Sequence, residues 1–174
     1  DLFEKAFGLS NAAAKETTEK LFVGGEYDPD RTEAFIRAMC KRRAEMVNQT
    51  TYKELMEALE ADEDDDALKA TPEGVFEHAE ENRAESAGLA FAGALIGWAA
   101  MEACRQNVRP GQNVFKTWVV TSGNPRASHA AMNGETVQYE EPFSNGAMWP
   151  GDIDNLDVEE VANCHCILEV EVRD

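Results

Sequence analysis

The sequence is short of positive charge. It carries 16 Lys and Arg residues against 34 Asp and Glu residues, which gives a formal net charge of −18 at pH 7. Proteins that bind the phosphate backbone of nucleic acids do so with clustered Lys and Arg side chains. Direct binding of nucleic acid is therefore disfavoured for this chain.

Long apolar runs are also missing. The longest one, Ala87 to Met101, spans about 15 residues, whereas a membrane-spanning helix needs roughly 20. No signal peptide is recognisable, and the 4 Cys residues lack the spacing of a secreted disulfide framework. These absences predict an intracellular type of protein with no membrane segment, whose 174 residues can bury a core without covalent support.

Complete catalytic and phosphate-binding motifs are absent as well. The sequence contains no G-x-G-x-x-G, no phosphate-binding loop and no Ser-His-Asp motif. We therefore expect a non-catalytic protein that needs no cofactor.

Helical patterns dominate the first part of the chain. Capping boxes at 30–33 and 51–54 predict the starts of two successive helices. The acidic run 62–66 predicts an open loop, because like charges repel. Thr71-Pro72 then begins a long helix that ends near Arg105. The second half of this helix is apolar on nearly all sides, which predicts that it is buried.

Strand patterns are confined to the last third. Val114–Val120, Thr136–Tyr139 and Cys164–Val172 are predicted strands, and apolar residues alternate with polar ones along the last of them. Residues 142–152 are predicted to form a loop. Helices followed by strands predict an α+β fold, in which N-terminal helices, one of them long and buried, precede a small, mainly antiparallel β-sheet.

Chain-breaking residues at Gly24-Gly25 and Asp28-Pro29 suggest a division into three parts. Residues 1–29 are expected to be an arm or linker, residues 30–107 a helical part, and residues 108–174 a small α+β part. We expect the last two parts to fold as one cooperative domain.

One group of residues has metal-binding chemistry, namely His129, Cys164 and Cys166. Thiolate and imidazole are zinc ligands, and cysteines two apart lie on the same face of a strand. However, C-x-C is not the usual C-x2-C motif, and no fourth ligand is evident in the sequence. The alternative is that both thiols lie in the core while His129 makes a fixed hydrogen bond. A cysteine nucleophile paired with His129 is a further alternative, although a buried cysteine is inert.

Arg126 lies three residues before His129, so the two side chains share one face if this segment is helical. We expect Arg126 to have a structural role, in which its guanidinium bonds carbonyl groups or a carboxylate near the last strand.

The order of these residues resembles the signature of a known family. In chain order, the pieces are K-x-W (Lys116, Trp118), R-x-x-H (Arg126, His129), N-G (Asn133, Gly134), Phe143, P-G (Pro150, Gly151) and N-C-x-C (Asn163, Cys164, Cys166). Together with the helices before them, they resemble the Mu F-like phage head morphogenesis proteins, also called minor capsid proteins. The resemblance covers residues 31–168. His165 departs from the family pattern, in which Arg commonly separates the two cysteines.

The resemblance implies a non-catalytic component of a tailed-phage or prophage head, acting in capsid assembly through contact with the portal protein or the major capsid protein. Its location would be the virion head, and the host cytoplasm during assembly. Some members are fused behind a portal domain, and a sequence that starts at Asp1 without Met suits the C-terminal domain of such a fusion. The alternatives are a zinc- or thiol-dependent hydrolase using His129, Cys164 and Cys166, or a phage-delivered effector domain with an acidic surface.

Overall fold

Helices form the first two thirds of the chain and a three-stranded antiparallel sheet lies in the last third, which confirms the predicted α+β fold. The computed structural model describes residues 2–60 and 71–173, so the acidic run 62–66 lies outside the described residues. The helices are α1 (Leu2–Leu21), α2 (Glu33–Glu60), α3 (Pro72–His78), α4 (Ala84–Asn107), α5 (Ala127–Ala131) and α6 (Val158–Val161), and the strands are β1 (Asn113–Val120), β2 (Thr136–Gln138) and β3 (Cys166–Arg173).

The expected arm or linker contains a helix that packs against the rest of the chain. Residues 2–21 form α1, which packs along α4. Its buried face consists of small residues spaced four apart: Ala6, Ser10, Ala14 and Thr18. Small side chains let two helix backbones approach closely, but they do not form the large apolar stripe by which a packed helix is recognised in a sequence. The division of the chain into three parts stays a prediction.

The two helices predicted between residues 30 and 60 are one. A 3₁₀ turn, Pro29–Arg31, precedes α2, and the capping side chain is that of Asp28, which accepts a hydrogen bond from the Asp30 amide at 3.0 Å. Thr51 does not cap a helix, because its hydroxyl donates to the carbonyl of Val47 at 3.1 Å. This bond to the residue four positions earlier lets a threonine sit inside a continuous helix.

The long helix predicted from Thr71 is confirmed with one interruption. The Thr71 hydroxyl accepts a hydrogen bond from the Gly74 amide at 3.1 Å, and a π-helical turn, Ala79–Arg83, joins α3 to α4. By length and composition α4 is the one helix among the described residues that could cross a membrane, but 67% of its most apolar stretch is buried inside the fold. It is placed as the central helix of the core, in contact with α1 on one side and with β3 on another.

The loop that follows β2 lies directly on the backbone of α4. Gly97 of α4 is in contact with Trp149, whose Cβ would lie 3.4 Å from a Cβ added to this glycine. Gly151 has a φ of +80°, and a Cβ there would lie 2.7 Å from the Cβ of Ala94. Glycine is required at position 151 both for its backbone conformation and for this close approach.

The sheet has the strand order β2-β1-β3, so β1 is central and both of its neighbours are antiparallel to it. Lys116 and Trp118 of β1 are both fully buried, and they face the core on the same side of the strand.

The last strand begins at Cys166 rather than at Cys164. Asn163 has a φ of +53°, and this left-handed residue forms the turn between α6 and β3.

The Asn133-Gly134 pair forms a turn, although not a tight hairpin, because α5 lies between β1 and β2. The side-chain oxygen of Asn133 accepts a hydrogen bond from the Val120 amide at 2.9 Å, and the Gly134 amide donates to the Trp118 carbonyl at 2.8 Å. Gly134 has a φ of +85°. The pair thus closes the end of β1 and directs the chain into β2.

Candidate functional site

Several of the signature residues meet in one buried cluster behind β1. Its buried members are Trp118, Met132, Phe143, Ala147, Cys164 and Cys166. The indole of Trp118 contacts the ring of Phe143 edge-on, with the ring centroids 5.3 Å apart. It also contacts His129 edge-on, with centroids 5.4 Å apart. Residues separated by almost fifty positions in the sequence, from Trp118 to Cys166, are therefore in one packed unit.

His129 is positioned in this unit by the short helix α5. The side chain is 2% exposed, and Nδ1 lies 3.4 Å from Sγ of Cys166 and 3.8 Å from Sγ of Cys164. On the opposite side of the ring, Nε2 lies 2.9 Å from a carboxylate oxygen of Glu160. The contact is at hydrogen-bond distance, but the Nε2–H direction is out of line with that oxygen. One ring nitrogen thus faces sulfur and the other faces a carboxylate.

The two cysteines present their sulfur atoms on the same side. Both are free thiols and both are buried. The hydrogen bond that Cys166 donates lowers the pKa of Cys164 to about 6, and the positive charge of Arg126 acts in the same direction. The same interaction raises the pKa of Cys166, while the indole N–H of Trp118 favours its thiolate. The Cys164 thiol is therefore readily deprotonated, whereas the Cys166 thiol keeps its proton.

Arg126 and Glu160 connect α5 to α6. The Arg126 guanidinium donates a hydrogen bond to the carbonyl of Ala162, two residues before Cys164. The hydroxyl of Ser128 donates to Glu160 at 3.0 Å. The two contacts fix the position of α5, which carries His129, relative to the segment that carries Cys164 and Cys166.

A second arrangement, beside the cluster, surrounds the backbone of one residue, Met148, in the loop after β2. The Met148 carbonyl accepts a hydrogen bond from Nζ of Lys116 at 2.9 Å, and the Met148 amide donates to a carboxylate oxygen of Asp152 at 2.9 Å. Both charged side chains are fully buried. The Lys116 ammonium also lies 5.0 Å from the centroid of the Phe143 ring. These contacts attach the loop to the central strand.

Burial of Lys116 has a measurable consequence. It lowers the pKa of the ammonium from 10.5 to about 8, so between these pH values the unfolded chain binds more protons than the folded one, and stability rises with pH. We expect wild type to gain about 2 kcal/mol relative to Lys116→Met between pH ~7.5 and ~10 in urea unfolding, after allowance for solvent screening. Groups that titrate in both proteins contribute equally where they are not coupled to Lys116, so they largely cancel in the difference. If the difference in unfolding free energy between wild type and Lys116→Met were the same at both pH values, the Lys116 ammonium would not be buried as the structure shows.

The remaining signature residues lie outside the cluster. Asn133 and Gly134 are exposed in their turn, and Pro150 and Gly151 are buried where the loop meets α4. Asn163 is exposed, and its side-chain oxygen accepts a hydrogen bond from Ser86 at 2.7 Å. Each of these residues lies in a turn or at a contact between two secondary-structure elements, and none of them faces His129.

Three acidic side chains that hold the site together belong to no motif that was recognisable in the sequence. Glu160 contacts His129, Asp152 accepts from the Met148 amide, and Glu135 accepts from both the amide and the hydroxyl of Ser144 at 2.7 Å. In a chain with 34 acidic residues, three structural ones are not distinguishable by composition. For Asp152, the position directly after the Pro150-Gly151 turn is the one local feature of the sequence that indicates a structural role.

This chain matches no protein-family model, no curated protein and no solved structure. The site must therefore be interpreted from its own geometry. Within residues 2–60 and 71–173, His129, Cys164 and Cys166 form the group that could hold a metal ion. Because all three are buried, an ion or a thiolate there would be enclosed by protein and would have little access to a substrate.

Proposed function

We propose that this chain is a non-catalytic head morphogenesis component, or minor capsid protein, of a tailed phage or prophage. In this proposal it acts during capsid assembly by binding the portal protein or the major capsid protein. It would be located in the virion head, and in the host cytoplasm while heads assemble.

The observation that carries the proposal is the convergence of the motif residues in the packed interior. Trp118 is 0% exposed, and His129, Phe143, Cys164 and Cys166 are each 4% exposed or less. A catalytic set needs at least one reactive atom that a substrate can approach. Motif residues that are enclosed in this way hold a shape, and such a scaffold suits a protein whose activity is to bind other proteins.

Charge supports a protein partner over DNA. The net charge of −18 repels the phosphate backbone, and the acidic side chains are spread along α1, α2 and β3. Electrostatic complementarity steers association between proteins of opposite surface potential. We therefore expect the contacted surface of the portal or capsid protein to be basic.

Co-expression with the portal protein and the major capsid protein of the same phage or prophage tests the proposal. The tagged chain should retain one of the two proteins through size-exclusion chromatography in low salt. Retention should weaken as ionic strength rises, because screening reduces the attraction between exposed charges.

The portal protein of an unrelated phage is the specificity control and should not be retained. If the folded chain binds neither cognate protein, and is absent from purified heads by mass spectrometry, the assignment is wrong. Hydrolytic activity that depends on Cys164 would instead favour the enzyme alternative.

A further inference from the structure

The three side chains behind β1 are spaced as the ligands of a tetrahedral zinc ion are spaced. With Zn–S about 2.3 Å and Zn–N about 2.0–2.1 Å, a tetrahedral site places nitrogen and sulfur about 3.6 Å apart and two sulfurs about 3.8 Å apart. The observed distances from His129 Nδ1 are 3.4 Å and 3.8 Å to the two sulfurs, and all three ligand atoms lie within 4.8 Å of one another.

The surroundings of His129 also suit a metal ligand. A metal-bound histidine commonly directs its other ring N–H to a carboxylate, which fixes the tautomer and the ring orientation. Here Nδ1 faces the sulfurs, and Nε2 lies 2.9 Å from a carboxylate oxygen of Glu160, although its N–H is not aligned with that oxygen. Glu160 is itself held by the Ser128 hydroxyl. The tautomer with the proton on Nε2 leaves the lone pair of Nδ1 directed at the cysteine pair.

A metal-bound thiolate would also suit Trp118, a second buried group at this site. The indole N–H of Trp118 interacts with Cys166 in the sense that favours its thiolate, but it makes no well-aligned hydrogen bond, and Trp118 packs in the same cluster as Cys164 and Cys166. A buried donor without an acceptor costs free energy. Thiolate sulfur that is held in place by a metal ion is an acceptor for such a donor.

We propose that His129, Cys164 and Cys166 bind one zinc ion, through Nδ1 of the imidazole and the two thiolates. Binding releases the two thiol protons to solvent, so that two negative charges balance the divalent cation. Among residues 2–60 and 71–173, no fourth His, Cys, Asp or Glu side chain joins the group. We assign the fourth position to a water molecule as part of this proposal. Because each ligand residue is at most 4% exposed, the ion braces α5 against β3 and does not meet a substrate.

Metal content and cobalt spectroscopy of the intact, reduced chain test this site. Protein purified without a metal-affinity step should contain one zinc per chain, and its thermal midpoint should fall when a chelator removes the ion. After the zinc is removed, added Co²⁺ should produce a thiolate-to-cobalt charge-transfer band together with the visible bands of tetrahedral cobalt. These readouts do not depend on any activity or on the phage assignment.

Two matched variants localise the ion. Cys164→Ser should lose about half of the charge-transfer intensity, because one of two thiolates is gone. Cys40→Ser changes another buried cysteine, on α2, and should keep the full spectrum. If Cys164→Ser does not fold, the zinc content and the cobalt spectrum of the wild type still show whether the chain binds a metal ion through thiolates. Folded, reduced wild type that holds no zinc and shows no charge-transfer band overturns the proposal.

Discussion

Replacing Trp118 by alanine should lower the free energy of unfolding by about 3–5 kcal/mol, the usual range for removing a large aromatic side chain from a core. The indole is 0% exposed and contacts both Phe143 and His129 edge-on. Its removal leaves a cavity between the central strand and the loop after β2, which the short strand β2 is poorly placed to close. A loss of this size is a large fraction of the 5–15 kcal/mol that stabilises a typical domain.

Urea unfolding under reducing conditions measures this loss, and Phe115→Ala is the matched control. Phe115 lies on the same strand but on its opposite face, where it is half-buried under the guanidinium of Arg173. We expect this control to cost about 1 kcal/mol. Similar losses for the two variants would show that the face carrying Trp118 is not the one that forms the core.

The second large effect is expected at Asp152. Asp152→Ala should cost about 3 kcal/mol, because it leaves buried donors without their acceptor. The fully buried carboxylate accepts from the Met148 amide at 2.9 Å, the Asp154 amide at 3.1 Å and the Asn155 side chain at 2.7 Å. Its negative charge also lies near the Lys116 ammonium. The loop after β2 has little regular structure of its own, so these bonds define its shape.

A nearby aspartate provides the control for this experiment. Asp157 precedes α6, is exposed, and makes no side-chain capping hydrogen bond. Asp157→Ala should therefore change the free energy of unfolding by about 0.5 kcal/mol or less. Thermal or urea unfolding of both variants at neutral pH gives the comparison. If Asp152→Ala were as mild as Asp157→Ala, water would be satisfying the donors that the carboxylate satisfies here.

Local chemistry predicted those parts of the fold that depend on near neighbours. The hydroxyl of Thr71 followed by proline correctly marked the start of a helix, because capping involves residues three positions apart. The alternation along β3 predicted that neighbouring residues face opposite ways, and in the structure Cys166 is buried while Ile167 is exposed. Both signals are contained within a few residues of sequence.

The failures have a common physical cause, which is competition from partners elsewhere in the chain. The Thr51 hydroxyl can cap the start of a helix or donate to the Val47 carbonyl of the preceding turn. Which of the two occurs depends on whether packing keeps the helix continuous through this position. Arg83 from the π-helical turn donates to the Thr51 hydroxyl and to Glu54, contacts that no local pattern contains. The face of α1 was missed because alanine, serine and threonine become buried only where another backbone comes close.

For the candidate site, the sequence predicted which reactive residues exist but not all of their partners. Placing Cys164 and Cys166 on one strand face brought the two thiols together, and the order of the motifs suggested that His129 belongs with them. The roles of Glu160 and Asp152 depend on the path of the loop and on α6, where a single residue of displacement would direct a different carboxylate inward. Such roles follow from the tertiary structure alone.

The pairing of α1 with α4 also sets an order of events during synthesis. Roughly 60 residues separate Leu21 from Ala84, and at about 5–20 residues per second a ribosome needs on the order of 3–12 s to produce them. For that interval α1 has emerged without the helix that covers it. The stripe of alanine, serine and threonine that later meets α4 exposes little apolar surface in the meantime, so this face of the nascent helix adds little to aggregation, and the risk is confined to apolar side chains such as Phe7 that pack against the core later.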